Sequence, residues 1–224
     1  MNLLLISLAP ILIIGFYIYF RDKWEKEPIK LLLLSLLFGG LTVIPILIVD
    51  AFLEPLGENL TDLSKAAFDA FVTAALTEEA FKLLALLLLI WKSKEFNEKF
   101  DGIVYGVFIS LGFAMVENLI YVLRDSDGVS VGILRAVTAV PAHALFGVVM
   151  GYHFALAKFE PAKRSFELFL AFFVPFLLHG FYDFWLMSEN GYLLLLFIPY
   201  VIGLWVFGFK RMKAHSQDSV FKKE

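Results

Sequence analysis

Seven apolar stretches, each long enough to cross roughly 30 Å of hydrocarbon, divide the chain almost end to end: residues 1–20, 31–53, 66–91, 102–123, 133–157, 166–187 and 192–209. In lipid a backbone must satisfy its own hydrogen bonds, so spans of this kind are helices. The expected fold is an all-α integral membrane protein, a bundle of about seven transmembrane helices with the lipid bilayer as its surroundings. A composition of 60% hydrophobic residues is too apolar for an ordinary soluble domain. The joints are too short to hold another domain, which leaves one membrane domain over 1–209 and a short polar tail over 210–224. The first stretch has no basic leader and is stopped by Arg21-Asp22-Lys23, so it reads as a retained anchor.

The joints alternate in charge. Fifteen of the nineteen Lys and Arg residues fall in segments 21–30, 92–101, 158–165 and the tail, and two fall in the joints between. The positive-inside rule then predicts an N-terminus outside and a C-terminus in the cytoplasm of a multi-pass protein of the cell membrane. A net charge of -3 points to no nucleic-acid partner, and the absence of cysteine excludes thiol chemistry.

Ionisable residues inside spans are costly, and mark functional sites unless they pair structurally. The third stretch carries Glu78, Glu79 and Lys82, the fourth Glu117 beside Asn118, the fifth Arg135 and His143, and the sixth His179 and Asp183. At about 1.5 Å per residue, Glu79 lies roughly 20 Å from the outer end of its span and Asp183 about 6 Å, with the others between. Four antiparallel helices would collect them into one site in the outer half of the bilayer. Glu78 and Glu79 diverge by about 100° around the helix, and Lys82 can reach either. One glutamate is therefore expected to pair with Lys82 and the other to stay free as a base, with Glu79 favoured and Glu78 the alternative. His179 and Asp183 stand one turn apart, so the carboxylate can orient the imidazole. Pro141 and Pro175 are expected to kink their helices near the site. Gly102/Gly106 and Gly147/Gly151 permit close helix approach. Asp50 reads as interfacial, and His153 and His215 as ordinary residues.

Two carboxylates, a histidine with an acidic partner and the Asn118 amide suffice for hydrolysis by activated water, with a base on the water and donors on the oxyanion. No H-E-x-x-H zinc motif is present. A non-standard site for a divalent metal such as zinc from Glu117, His143, His179 and Asp183 is chemically open, as is a centre without metal. Buried Glu, His and Asp residues also build proton- or ion-coupled transporters, the alternative reading.

Several blocks in order, Asp22-Lys23-Trp24-Glu25-Lys26-Glu27-Pro28, Glu78-Glu79-Ala80-Phe81-Lys82, Asp101-Gly102-Ile103-Val104-Tyr105-Gly106 leading to Glu117-Asn118, His143-Ala144-Leu145-Phe146-Gly147 and His179-Gly180-Phe181-Tyr182-Asp183-Phe184, closely resemble the PrsW family of bacterial intramembrane proteases. The resemblance implies a first, extracytoplasmic-side cut in a single-pass anti-sigma factor, starting the proteolysis that releases an extracytoplasmic-function sigma factor in a stress response. It also implies catalytic roles for Glu78, Glu79 and His179, with Lys82, Glu117, Asn118, His143, Asp183 and Arg135 in support. The family is distantly similar to the CAAX-processing and bacteriocin-immunity membrane proteases. Relative to that pattern, Glu117 replaces a histidine and Asp183 an asparagine.

Overall fold

The computed structural model describes residues 3–222, and the expected ends of the first span (Met1 and Asn2) and of the tail (Lys223 and Glu224) lie outside them. The described residues form helices without a strand: α1 (Leu3–Arg21), α2 (Ile29–Leu41), α3 (Val43–Leu53), α4 (Asp62–Phe68), α5 (Thr77–Ile90), α6 (Lys99–Arg124), α7 (Gly128–Val137), α8 (Ala139–Phe159), α9 (Arg164–Met187) and α10 (Gly191–Gln217). A wide π-helical turn, Asp69–Leu76, joins α4 to α5 in one helical run. Six helices or helix pairs among the described residues are long and apolar enough to cross a membrane. The third expected span is present as the run 62–90, but Glu78, Glu79 and Lys82 keep it out of that apolar set. Its charges turn inward, while the exposed surface elsewhere is leucine, isoleucine and phenylalanine, the pattern expected where lipid replaces water.

α6 is the central strut, buried on all sides from Phe100 to Ala114. It meets α8 through the two expected glycine pairs: a Cβ on Gly106 would lie 2.7 Å from the Gly147 carbonyl, and one on Gly102 2.6 Å from the Gly151 carbonyl. Only glycine allows this backbone approach, and it places α8 with His143 against α6 with Glu117.

The fifth expected span departs from a single helix. Thr138, at φ -120° and ψ -76°, separates α7 from α8, and Asp127 caps α7 by accepting from Ser130 N. Pro141 therefore sits in the first turn of α8, where a missing N–H costs nothing, and does not kink a helix interior. Pro175 does lie inside α9, as expected. α10 also runs beyond its expected end, so much of the predicted polar tail is helical, and His215 is buried with Nδ1 3.1 Å from the Lys99 carbonyl.

The four basic segments gather at one end of the bundle. Trp24 Nε1 donates to the Ser216 carbonyl at 3.1 Å, Ser219 donates to Glu98, and Lys99 pairs with Glu160 at 3.2 Å. Here two of the sequence blocks meet away from the charges of the spans. Asp22, Glu27 and Asp101 are all buried, and Tyr105 donates its hydroxyl to Glu27. Burial, reinforced by the Asp101 carboxylate, pushes Asp22 up to about 7 and raises Glu27 further. A carboxyl group that holds its proton more tightly folded than unfolded stabilises the fold below its unfolded value of 3.8 and loses that contribution as pH rises through about 7. The thermal midpoint of the detergent-solubilised protein is expected to fall between pH 5 and pH 8. Asp22→Asn should flatten that slope, and an unchanged slope would refute the assignment.

Candidate active site

The charged residues of the spans converge on one centre built by five helices. α5 opens with Thr77-Glu78-Glu79 directly after the π turn, whose Phe71 packs so closely on α9 that a Cβ on Gly180 would lie 2.2 Å from its ring. Local π-helix is costly and is found where a site needs a changed helical phase. In this chain it seats α5 against the His179 segment of α9.

Lys82 is the hub. Its fully buried ammonium lies 3.0 Å from Glu78 Oε2, 2.9 Å from Glu79 Oε1 and 3.4 Å from His143 Nδ1, with the Phe113 ring 4.0 Å away. The expectation that one glutamate would pair and the other stay free is thus corrected. The two backbone positions diverge, but glutamate side chains are long enough to swing to a common ammonium, and both do. They still differ in exposure to the site: Glu78 borders a cavity, whereas Glu79 lies behind it, fully buried, with Oε2 lacking a partner among the described residues.

His179 reaches Glu79 Oε1 through Nδ1 at 2.9 Å and Asp183 Oδ2 through Nε2 at 3.1 Å, so both ring nitrogens face carboxylates. Phe146 stacks on its ring at 4.9 Å, and the His143 ring stands perpendicular to it at 5.2 Å. His143 Nε2 lies 3.0 Å from Glu117 Oε2, which also accepts from Arg135. Arg135 Nε donates to Asn118 Oδ1 at 3.0 Å, and Asn118 Nδ2 donates to the Ser7 carbonyl at 3.0 Å. Asn118 is therefore spent in tying α7, α6 and α1 together and does not border the cavity, contrary to its expected service as an oxyanion donor.

The cavity holds about 240 Å³, bordered by Glu78, Glu117, His143, His179 and Asp183. Leu134, Leu186 and Met187 also border it, and these lie by the joints at the end away from the basic segments. Sequence reasoning gave no site role to Tyr182, which borders it too and stands three residues after His179 on α9, about one helical turn along the same face.

One donor atom each from Glu78, Glu79, His143 and His179 lies within 4.8 Å of the others. Two carboxylates and two imidazoles suit a zinc-like ion, and Glu117 on His143 and Asp183 on His179 stand where outer carboxylates orient such ligands. The donors fit a divalent metal by chemistry, although the set differs from the expected one in using Glu78 and Glu79 where Glu117 and Asp183 were named. The ammonium of Lys82 holds three of these same donors and would have to yield to an ion.

The sequence profile of a family described as PrsW family intramembrane metalloprotease matches residues 27–207. A protein called protease PrsW from Clostridioides difficile is 38% identical over 223 residues, covering 98% of this chain and 93% of that protein. Proteins of the same name from Geobacillus kaustophilus and Bacillus subtilis are 38% and 35% identical, covering 95% and 92% of this chain and 91% and 92% of their own. No solved structure matches the chain significantly.

Removing Lys82 would leave two buried carboxylates facing each other without a cation. Lys82→Met is expected to destabilise the protein by about 3–5 kcal/mol, the typical cost of breaking a buried pair from one side. Adding Glu78→Gln and Glu79→Gln should recover most of it, as read from denaturation in mixed micelles. A Lys82→Met protein as stable as the parent would show that Lys82 does not compensate the pair.

Proposed function

The chain belongs to the PrsW family and is an intramembrane endopeptidase of a multi-pass membrane protein type, and from that premise we propose that it makes the first cut in a single-pass anti-sigma factor near the extracytoplasmic face. The observation that carries this reading is the cavity bordered by Glu78 and His179, displaced away from the basic end of the bundle. By the positive-inside rule the basic end faces the cytoplasm, so the cavity lies toward the outer face. An extended segment at the outer end of a substrate helix would reach it there. Family membership displaces the transporter reading.

In the proposed reaction Glu78, the glutamate that borders the cavity, takes a proton from water as the water oxygen attacks the scissile carbonyl. His179 can donate from either ring nitrogen and protonates the leaving amine. Glu79 and Asp183 hold its ring from both sides, and Lys82 balances the paired glutamates as long as no ion takes their donors. A divalent ion held by Glu78, Glu79, His143 and His179 would supply a Lewis acid that polarises the carbonyl or the water. The favoured base thus shifts from Glu79 to Glu78, because Glu79 does not border the cavity.

In proteoliposomes carrying a single-pass anti-sigma factor, Glu78→Gln and His179→Ala are each expected to lower cleavage by about 10²–10⁴-fold without loss of insertion. Cleavage retained by either variant would defeat the assignment. Treatment with a strong chelator separates the two sources of activated water. Loss restored by zinc assigns the water to an ion, and retention assigns it to Glu78 alone.

A further inference from the structure

Hydrolysis at this centre needs a donor for the oxygen that becomes negative when water adds to the carbonyl, and the expected donor, Asn118, is committed elsewhere. Of the other donors around the cavity, the Tyr121 hydroxyl is on a half-exposed side chain, and the rest are engaged. Arg135 holds Glu117 and Asn118 and lies over the Tyr121 ring at 4.2 Å. The Thr138 hydroxyl donates to the Leu134 carbonyl at 2.7 Å. Both imidazoles face carboxylates, and Lys82 lies behind Glu78 without bordering the cavity.

Tyr182 is different. It borders the cavity, it is 4% exposed, and its hydroxyl is buried and makes no hydrogen bond of ordinary geometry among the described residues, with the Thr138 side chain as a polar neighbour. Its ring is held between Phe146, 6.1 Å away and nearly perpendicular, and Phe197, 5.1 Å away. Phe146 also stacks on His179, so one aromatic side chain sets the positions of both the imidazole and the phenol. A buried hydroxyl held rigidly without a well-formed hydrogen bond is costly unless a ligand completes it.

We infer that Tyr182 is a catalytic residue whose hydroxyl donates a hydrogen bond to the scissile carbonyl oxygen and to the oxyanion formed from it. The inference rests on the reading of Glu78 and His179 as base and acid. As the water oxygen bonds to the carbonyl carbon, Glu78 takes the water proton and the carbonyl π pair moves onto oxygen, facing the Tyr182 hydroxyl. The phenol keeps its proton. When that pair returns, the C–N bond breaks, the leaving nitrogen takes a proton from His179, and the proton on Glu78 restores the imidazole.

The test uses the full chain in proteoliposomes with a single-pass anti-sigma factor, together with an uncleavable peptide and a phosphinate peptide that mimics the tetrahedral intermediate. Tyr182→Phe is expected to lower kcat about 100-fold, the usual loss for one oxyanion donor, with KM within about threefold. Affinity for the phosphinate should fall by the same factor, and affinity for the uncleavable peptide should hold. The thermal midpoint should stay level or rise, because the removed hydroxyl makes no hydrogen bond of ordinary geometry among the described residues. A kcat within threefold of the parent, or a loss confined to KM or to stability, would overturn the inference. If Tyr182→Phe fails to insert, Tyr182→3-fluorotyrosine keeps the ring and makes the hydroxyl a stronger donor. An unchanged phosphinate affinity in that variant would overturn the inference equally. Inactive Glu78→Gln and His179→Ala beside an active Tyr182→Phe would remove Tyr182 alone, whereas active Glu78→Gln and His179→Ala would remove the reading beneath it.

Discussion

A single buried ammonium holds the centre together. Two carboxylates on adjacent positions of α5 cannot both remain charged in a low-dielectric interior without compensation, and Lys82 sits within 3.0 Å of each. Because Lys82 also approaches His143, and Glu79 reaches His179, the ammonium links α5 to α8 and α9 at the depth where water must act. Glu117 and Asp183 then satisfy the outer nitrogens of the two imidazoles, and Arg135 closes the chain from α7. Each charge has an opposite neighbour, so the polar network can exist inside an apolar bundle.

Irregular backbone is concentrated around the same centre. The π turn of 69–76 ends at Thr77, one residue before Glu78, and the break at Thr138 lies on the cavity wall. Within a membrane, non-helical backbone is tolerated where it is buried in protein or lines a water-accessible space. Both irregularities do mechanical work as well. The π turn presses Phe71 against Gly180 and so registers α5 against α9, and the break lets α7 carry Arg135 back over Glu117 while α8 runs on along α6.

Much of this was legible in the sequence, for physical reasons that also mark where legibility stops. Charges in apolar spans are so costly that their gathering into one site could be read before any coordinates, and Glu78, Glu79, Lys82, Glu117, His143, His179, Asp183 and Arg135 do gather. The glycine pairs of α6 and α8 were readable because only a missing side chain permits that approach. What sequence could not supply were outcomes decided by side-chain conformation. The convergence of both glutamates on Lys82 depends on rotamers, since their backbone positions alone point apart. The diversion of Asn118 to Ser7 depends on how α1 docks, which no local pattern encodes. Tyr182 received no role because a tyrosine in a membrane helix carries no charge penalty, and its buried, unbonded hydroxyl at the cavity shows only in the structure.

The two ends of the bundle solve the problem of buried acid differently, and the contrast bears on access. At the basic end, Asp22, Glu27 and Asp101 are buried beside a phenol and covered by contacts from the C-terminal segment, Trp24 to Ser216 and Ser219 to Glu98. Protons there are the balancing charge, as the upward shift of Asp22 implies. Around Lys82 two fixed cations, Lys82 and Arg135, meet four carboxylates, and the imidazoles of His143 and His179 stand between the carboxylates and supply the remaining polar contacts. A hydrolase needs its base ionised and in reach of water while the rest of its polar network stays closed. Lys82, 3.0 Å from Glu78, serves the first need, and a cavity bordered by Glu78 but not by Glu79 or Lys82 serves the second.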